Sequence, residues 1–518
     1  NQTSIAYNAQ SRIGQVTDAN ARNLNFTYGV NGRVATITDF STPTRVWSYA
    51  YDPADNLTSV TDPDNNVITY LYDLAHNLTG IVDALGNTVS SVSYDGGDKA
   101  SSFSDNGGNY DINYDPVTKV TSKTNPADGL FTFKYDDNGN VIEKTTPDGG
   151  VSALNWDANI DLASKTNSNN VSTTYTYDAQ HNVTSITADS AVGGLNRRVQ
   201  YSYDSTTGKV KQIIDPLNNI TSMTYDTNGN LLTLTRPTGV SSFSYDSLGQ
   251  LTQSIDPDGV TTAFAYDANG NMTNQSIVGS LPLIESIFTY DQRGNRLTAT
   301  DPNGNVTTYT YTKLDQLATV TDALSNISQF NYDGNGNMVQ TIDPAGTVTD
   351  YIYDGFDRLI TRIDAVTTPL QRQTSYTYDS RGNLKILTDP LNHTTSYTYD
   401  AQSRVTQVTD ALNHSWLFSF DKLGNLLSKT DPNLNVTQYG YDSLNRLTTV
   451  SDAENNITRY GYDANGRLET VTDANGNIAT TLSYDNIGRL TANQDALLHS
   501  TSQTYTNTGR IDTRTDAN

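Results

Sequence analysis

The chain has 518 residues, of which only 35% are hydrophobic by a count that includes 33 tyrosines; ordinary globular domains run at roughly 45 to 50%, so a solid core in proportion to this length is excluded. A formal charge of -24 argues against nucleic acid or anionic membrane as a partner, since both select basic patches. The absence of cysteine excludes a disulfide framework and thiolate metal sites, and fits a secreted or cell-surface chain stabilised without crosslinks.

From the amino terminus onward, an aromatic residue followed by Asp recurs about every 21 residues. Tyr7 and Tyr28 are weak early members; Tyr51-Asp52, Tyr72-Asp73, Tyr177-Asp178, Tyr266-Asp267, Tyr353-Asp354, Tyr399-Asp400, Tyr441-Asp442 and Tyr462-Asp463 carry the signature in full. The whole chain, residues 1–518, is expected to be one continuous array of roughly 24 such units, the periodic segment of a larger protein. No sequence linker interrupts it. The amino terminus NQTSIAYNAQ has neither the basic start nor the apolar centre of a signal peptide, and no run of 18 apolar residues occurs anywhere.

Each unit holds two strands and two turns. From Asp442 the pattern predicts a turn over Ser443 to Arg446, a strand over Leu447 to Ser451, a second turn over Asp452 to Asn455 and a strand over Asn456 to Tyr462. Thr, Val, Ile and Tyr fill the strands while Asp, Asn, Gly and Pro fill the turns, which is β-hairpin chemistry. Apolar residues at helical spacing do not persist beyond a turn or two. The turn after the Tyr-Asp pair is called the Tyr-Asp turn below, and the other the return turn.

In the second strand of each unit the aromatics stand two apart, as in Tyr439 and Tyr441 or Tyr460 and Tyr462, which puts both rings on one face. Phe replaces the first ring at Phe133, Phe243 and Phe330, and both at Phe418 and Phe420, so the rings are expected to serve packing. The Asp carboxylate is expected to accept hydrogen bonds from amides about two residues on; Thr312, Thr506 and Asn8 stand in the same place and offer the same short-range oxygen. Tripeptides such as Asn269 to Asn271 and Asn465 to Arg467 supply the positive φ of a hairpin turn with a G1 bulge.

About 48 strands at about 4.8 Å would make an open sheet roughly 230 Å wide, and open twisted sheets rarely pass about ten strands without curling. With Thr, Ser, Asn and Gln expected on both faces, the implied fold class is all-β: tandem antiparallel hairpins forming one long spiralling sheet, one layer thick, around a hollow interior. Three enlarged return turns, beginning at Ala188, Ser276 and Asp364, recur four units apart on one edge of this ribbon. They are read as tolerated loop insertions, with contacts between successive coils or a partner surface as alternatives.

The stretches YDANGRLETVTD from Tyr462 and YDQRGNRLTATD from Tyr290 resemble the Rhs or YD-repeat family, and the likeness extends over essentially the whole chain. The resemblance implies a large hollow β-shell. In bacterial Rhs toxins and the BC component of Tc toxins such a shell encloses a toxic polypeptide; in teneurins it is an extracellular adhesion scaffold. The Asp-Pro pairs at Asp62, Asp215, Asp256, Asp301, Asp343, Asp389 and Asp431 fall in return turns, where Pro presets φ, and are read as turn chemistry rather than as an autoproteolysis motif.

Other chemistry is weakly supported. The five histidines, His76, His181, His393, His414 and His499, each lie in a turn at least a unit from the next, so a zinc site would need ligands from separate units. The turns at Asp267, Asp301, Asp333 and Asp473 offer alternating oxygens that suggest Ca2+, but lack the glycine position and the bidentate Glu of an EF-hand loop. No cofactor is expected beyond that weak Ca2+ candidate. About fifteen Asn-X-Ser/Thr triplets arise where a turn Asn meets a strand Thr, and glycosylation depends on the source.

The expected function is a non-enzymatic wall of a secreted protein, enclosing a polypeptide cargo. The alternative is an extracellular fibre or adhesin built of open-ended repeats, whose partners are neighbouring copies or cell-surface receptors. A third reading, a carbohydrate-degrading solenoid, requires two distinguished carboxylates, and a repeat with Asp at every turn offers no distinguished pair.

Overall fold

The computed structural model describes residues 3–18, 21–105, 108–125, 129–190, 196–280, 283–366, 371–507 and 509–516. Among these residues there are 48 strands and no helix, so no helix is long and apolar enough to cross a membrane. The strands belong to one antiparallel sheet in which each pairs with its neighbours in sequence. The dissected unit appears as the strands Leu447–Ser451 and Ile457–Tyr462, within a residue of expectation.

Most Tyr-Asp turns follow one plan, while the turn after Tyr203 is a residue longer. In the turn after Tyr441, the Asp442 amide donates to the Arg446 carbonyl at 2.9 Å and the Asn445 amide to the Asp442 carbonyl at 3.0 Å, with Asn445 at φ 61°. The register slips between Gly440 and Tyr441, so that Tyr441 faces Leu447. This is the type I turn with G1 bulge that the Asn-Gly tripeptides predict. The positive-φ place is taken by Gly466 in the next unit, but also by Ile160 at φ 67°, a β-branched residue for which this conformation is costly.

Thr437 and Thr458 stand two residues before ring positions and share their face, as expected of polar residues on both faces, and the bulge adds apolar residues there. Leu447 faces Tyr441 and Val450 faces Tyr439, so two residues three apart share the face of the rings. One face therefore gathers Tyr, Leu, Val and Ile. The other carries Thr, Ser, Gln and Asn, with cross-strand hydroxyl pairs such as Thr224 with Thr233 at 2.6 Å and Thr310 with Thr319 at 2.7 Å. Among the described residues, strand contacts run between consecutive strands. Among the described residues Tyr110, stacked on Phe103 at 4.8 Å, is the one buried hydrophobic residue, 8% exposed.

Contacts divide the chain into two compact units. The first comprises residues 1–112 and 262–396, the second 113–261 and 397–518. Each contains an early and a late run of the sheet.

Candidate functional site: the capped turns and the seam between runs

Every Asp of the signature caps its own turn. Asp52 Oδ1 accepts the amides of Ala54 and Asn56 at 2.9 Å, and its Oδ2 accepts the Asn56 side chain at 2.8 Å. Asp73, Asp178 and Asp267 repeat this with Asn77, Asn182 and Asn271. In Asp354, Asp400, Asp442 and Asp463 the fourth residue on is Arg, whose Nε reaches Oδ2 at 2.6 to 2.8 Å. Return turns use the same device: Asp62 holds the Asp64 and Asn66 amides at 2.8 and 2.9 Å and the Asn66 side chain at 2.9 Å.

The caps stabilise the ionised carboxylate. At Asp52 the Asn56 side-chain and backbone hydrogen bonds outweigh a smaller burial penalty and lower the pKa below the usual carboxylate value. At Asp463 burial pushes upward, but the Arg467 amide and guanidinium together prevail and the pKa is again lowered. The carboxylates of the Ca2+-like turns are engaged in the same way, Asp267 with Asn269 and Asn271, Asp301 with Asn303 and Asn305. Among the described residues no group of three or more His, Asp or Glu side chains converges as a metal site would require.

The signature tyrosines do more than pack. Tyr177, Tyr353 and Tyr462 donate their phenol protons to the carbonyls of Leu162, Met338 and Leu447 at 3.0, 2.9 and 2.7 Å. Each acceptor lies 15 residues earlier, at the start of the hairpin whose second strand the tyrosine ends. Trp156 supplies an indole N–H to Val141 in the same way at 2.9 Å, so the ring and the donor are kept when the residue changes. Tyr51, Tyr72, Tyr266 and Tyr441 face Leu57, Leu78, Met272 and Leu447 across the bulge, and Tyr399 ends its strand as they do. Sequence reasoning missed this hydrogen bond because Phe420 dispenses with it; Trp156 was the signal.

Arginine stitches neighbouring units. Arg446 binds its own Asp442, lies over the ring of Tyr462 at 4.7 Å and directs Nη1 toward the Asp463 carbonyl at 3.5 Å. Arg467 and Arg489 repeat the arrangement on Tyr484 and Tyr505 at 4.8 and 4.6 Å.

In each unit, Tyr-Asp turns of the late run are seated on return turns of the early run. In the first unit Asn335 donates to Asp83 at 2.7 Å while its own side-chain oxygen accepts the Ala84 amide at 3.1 Å. Arg45 closes the same seam. Its Nε binds Asp39 at 2.7 Å within an enlarged return turn, and its Nη1 binds Asp315 at 2.5 Å across the seam. Open clefts of about 580 and 530 Å³ lie along this seam, the second lined by Trp47, Val60, Ile68 and Leu314. In the second unit Asn465 donates to Asp215 at 3.1 Å, Ser443 to Asp189 at 2.5 Å and Arg197 to the Asn465 carbonyl at 2.7 Å. Asp189 and Arg197 flank the first of the enlarged turns, which thus takes part in contacts between runs; residues 191–195, 281–282 and 367–370 of the enlarged turns lie outside the described residues.

The histidines stay within this scheme. His393, His414 and His499 occupy the capping position opposite Asp389, Asp410 and Asp495, each at 3.0 Å. His76 and His181 hold the positive-φ place at 68° and 63°; the hydrogen bond that the protonated His181 ring donates to Asp161 at 2.8 Å raises its pKa.

Comparison with known proteins follows the same lines. The sequence matches the Teneurin YD-shell family over residues 165–330 and 373–475, together just over half of the chain. The chain belongs to the Teneurin YD-shell family. RHS Repeat matches cover residues 41–67, 51–88, 114–151, 332–366 and 462–497. No curated protein matches the sequence. Among solved structures, TcdB2-TccC3 superposes with a TM-score of 0.61 at 14% identity, covering 99% of this chain and 36% of that one. TcdB2-TccC3-Cdc42 gives 0.58 at 14% identity with coverages of 97% and 30%, and TcdB2-TccC3 without its hypervariable C-terminal region gives 0.58 at 12% with 97% and 35%. This YD-shell chain shares their fold and spans about a third of their length. Family and fold are of the structural-shell type.

Proposed function

We propose that this YD-shell chain is a non-enzymatic wall, part of a secreted protein, that encloses a polypeptide cargo. The observation that carries the reading is the amphipathic sheet, with one buried hydrophobic residue among the described residues, whose runs are joined edge to edge by turn chemistry. A sheet stabilised in this way encloses space instead of filling it. The distribution of its carboxylates supports the non-enzymatic part, since the same cap recurs at both edges and engages the Asp side chains in holding turns. The neighbour that exists with and without a hypervariable C-terminal region is a precedent for a shell fold combined with a variable segment.

The test is electron microscopy of the intact native product, combined with protease treatment. Closed particles with internal density and a protease-protected polypeptide are expected. Open, empty tubes with no protected segment would overturn enclosure and support the extracellular fibre or adhesin.

A further inference from the structure

Each seam is fastened by an asparagine that precedes a glycine. Asn335 Nδ2 donates to Asp83 at 2.7 Å and to Asp357 at 2.9 Å, and its Oδ1 accepts the Ala84 amide at 3.1 Å. Asn465 Nδ2 donates to Asp215 at 3.1 Å, while Arg197 binds the carbonyls of Ala464 and Asn465 at 3.1 and 2.7 Å. Gly336 and Gly466 follow them at φ 90° and 81°. The same pair stands in return turns as Asn303-Gly304 and Asn475-Gly476, with glycine φ of 83° and 84°, and there both Asn side chains are exposed.

An asparagine before glycine carries its own nucleophile. The glycine nitrogen bonds to the asparagine Cγ, the Cγ–Nδ2 bond breaks, and ammonia leaves with the proton of the glycine amide, closing a succinimide. Water then opens the ring, giving OH to one carbonyl carbon and H to the nitrogen, and aspartate or isoaspartate remains. Without a Cβ the glycine leaves its nitrogen open to this approach. In all four pairs that nitrogen is engaged alike, donating to the carbonyl of the turn Asp at 2.9 to 3.1 Å. The side chains differ. Closing the ring swings Cγ toward the glycine nitrogen, so Asn335 and Asn465 must first leave the seam, whereas Asn303 and Asn475 swing in solvent. Asn465 Oδ1 is buried without a hydrogen-bond partner among the described residues, so this side chain is held by fewer bonds than that of Asn335.

We propose that Asn335 and Asn465 are deamidation sites that make the opening of each seam irreversible. With the seam shut the side chain is pinned and the reaction is slow. Once the runs part, the pair is as free as Asn303-Gly304, and conversion leaves a carboxylate where an amide had donated. Residue 335 then turns a negative charge on Asp83 and Asp357, and residue 465 turns one on Asp215, so that like charges replace a donor and its acceptor. Isoaspartate also lengthens the turn backbone by the side-chain methylene. Either product removes the fastener that reclosure needs. Each unit carries its own site, and the inference holds whatever the wall encloses.

Peptide mass mapping of the full chain, aged at mildly alkaline pH, tests it. Asn303 and Asn475 are expected to convert about tenfold faster than Asn335, the difference that hydrogen bonds to carboxylates impose, with Asn465 between them. Arg45→Met loosens the seam of the first unit without touching Asn335; it is expected to speed conversion of Asn335 and to leave Asn465 at its wild-type rate. Asn335→Asp is expected to raise hydrogen exchange at residues 83–87 and Asn465→Asp at residues 215–219, whereas Asn303→Asp leaves both at wild-type levels. Circular dichroism verifies the fold of each variant, and the wild-type rates stand without them. Equal rates at all four asparagines of the wild-type chain overturn the proposal, as does an Asn335 rate unmoved by Arg45→Met, or seams that exchange like wild type in both Asn335→Asp and Asn465→Asp.

Discussion

The phenol of Tyr462 donates to the carbonyl of Leu447 at 2.7 Å, tying the end of a hairpin to its own start. Tyr462→Phe keeps the ring under Arg446 and removes this bond, at a cost of about 1 kcal/mol. Amides of the strand Leu447–Ser451 are expected to exchange about fivefold faster with solvent. Unchanged exchange would reduce the phenol to packing.

Asp442 holds the Leu444 and Arg446 amides through Oδ1 at 2.9 and 3.0 Å and the Arg446 guanidinium through Oδ2 at 2.6 Å. Asp442→Asn preserves an amide acceptor and loses the charge; Asp442→Ala loses both, about 1 to 2 kcal/mol by analogy with helix caps. Trypsin cleavage after Arg446 is expected to be fastest in the Ala variant, intermediate in Asn and slowest in wild type. Equal rates for all three would mean the carboxylate does not hold the turn.

The acid limit follows from the caps. Asp136 is lowered chiefly by hydrogen bonds from Asn140, and Asp463 by those from Arg467 acting against burial. A carboxylate whose folded pKa is depressed adds stability that is fully present above its unfolded value, about 4, and is lost as pH falls through the lower folded value. The melting temperature is therefore expected to stay level from neutral pH down to about 4 and to drop below it. A decline that begins well above that range would show that the carboxylate caps do not set the acid limit.

Asp39 is almost fully buried, its side chain 2% exposed, and is held by Arg45 and Ser41. Arg45→Met leaves that charge without its partner, a loss of about 3 kcal/mol, and Arg45→Lys does not restore it because Asp39 and Asp315 are bound by different nitrogens of one fork. Hydrogen exchange should rise on both sides of the seam, at residues 39–46 and 312–316. A change confined to one side would show that Arg45 does not couple the runs.

Gly334 and Gly96 occupy the same place in a Tyr-Asp turn, one seated and one not. A Cβ on Gly334 would lie 2.8 Å from Asn66 Oδ1 and 3.4 Å from the Ala84 Cβ, whereas one on Gly96 meets nothing within 4 Å. Gly334→Ala is expected to raise exchange at the seam and Gly96→Ala to leave it unchanged. The same response in both would assign the effect to backbone entropy.

The hairpins, their number and the capped Asp were legible because each is set by residues within five of one another, and the repeat displays the pattern many times over. The sorting of the two faces was not, since Leu447 and Val450 are three apart and a strict period of two assigns them to opposite sides; the bulge at Tyr441 brings them together. The seam was least legible. Asn335 meets Asp83 across 252 residues, and its partner is set by the curvature of the intervening sheet, to which no single residue testifies. What the sequence does hold is the donor after the Asp, visible only once a seated turn is compared with an unseated one.

Because every strand finds its partners immediately before and after it, the wall has no step that must wait for a distant segment. Each hairpin can close as soon as its own residues are available, and the loop-closure entropy that slows long-range β-pairing is confined to about ten residues at a time. The polypeptide can thus be laid down in order from one end, behind a ribosome or a transport channel, and taken apart in the reverse order, with the seam contacts joining only after a full run has been paired.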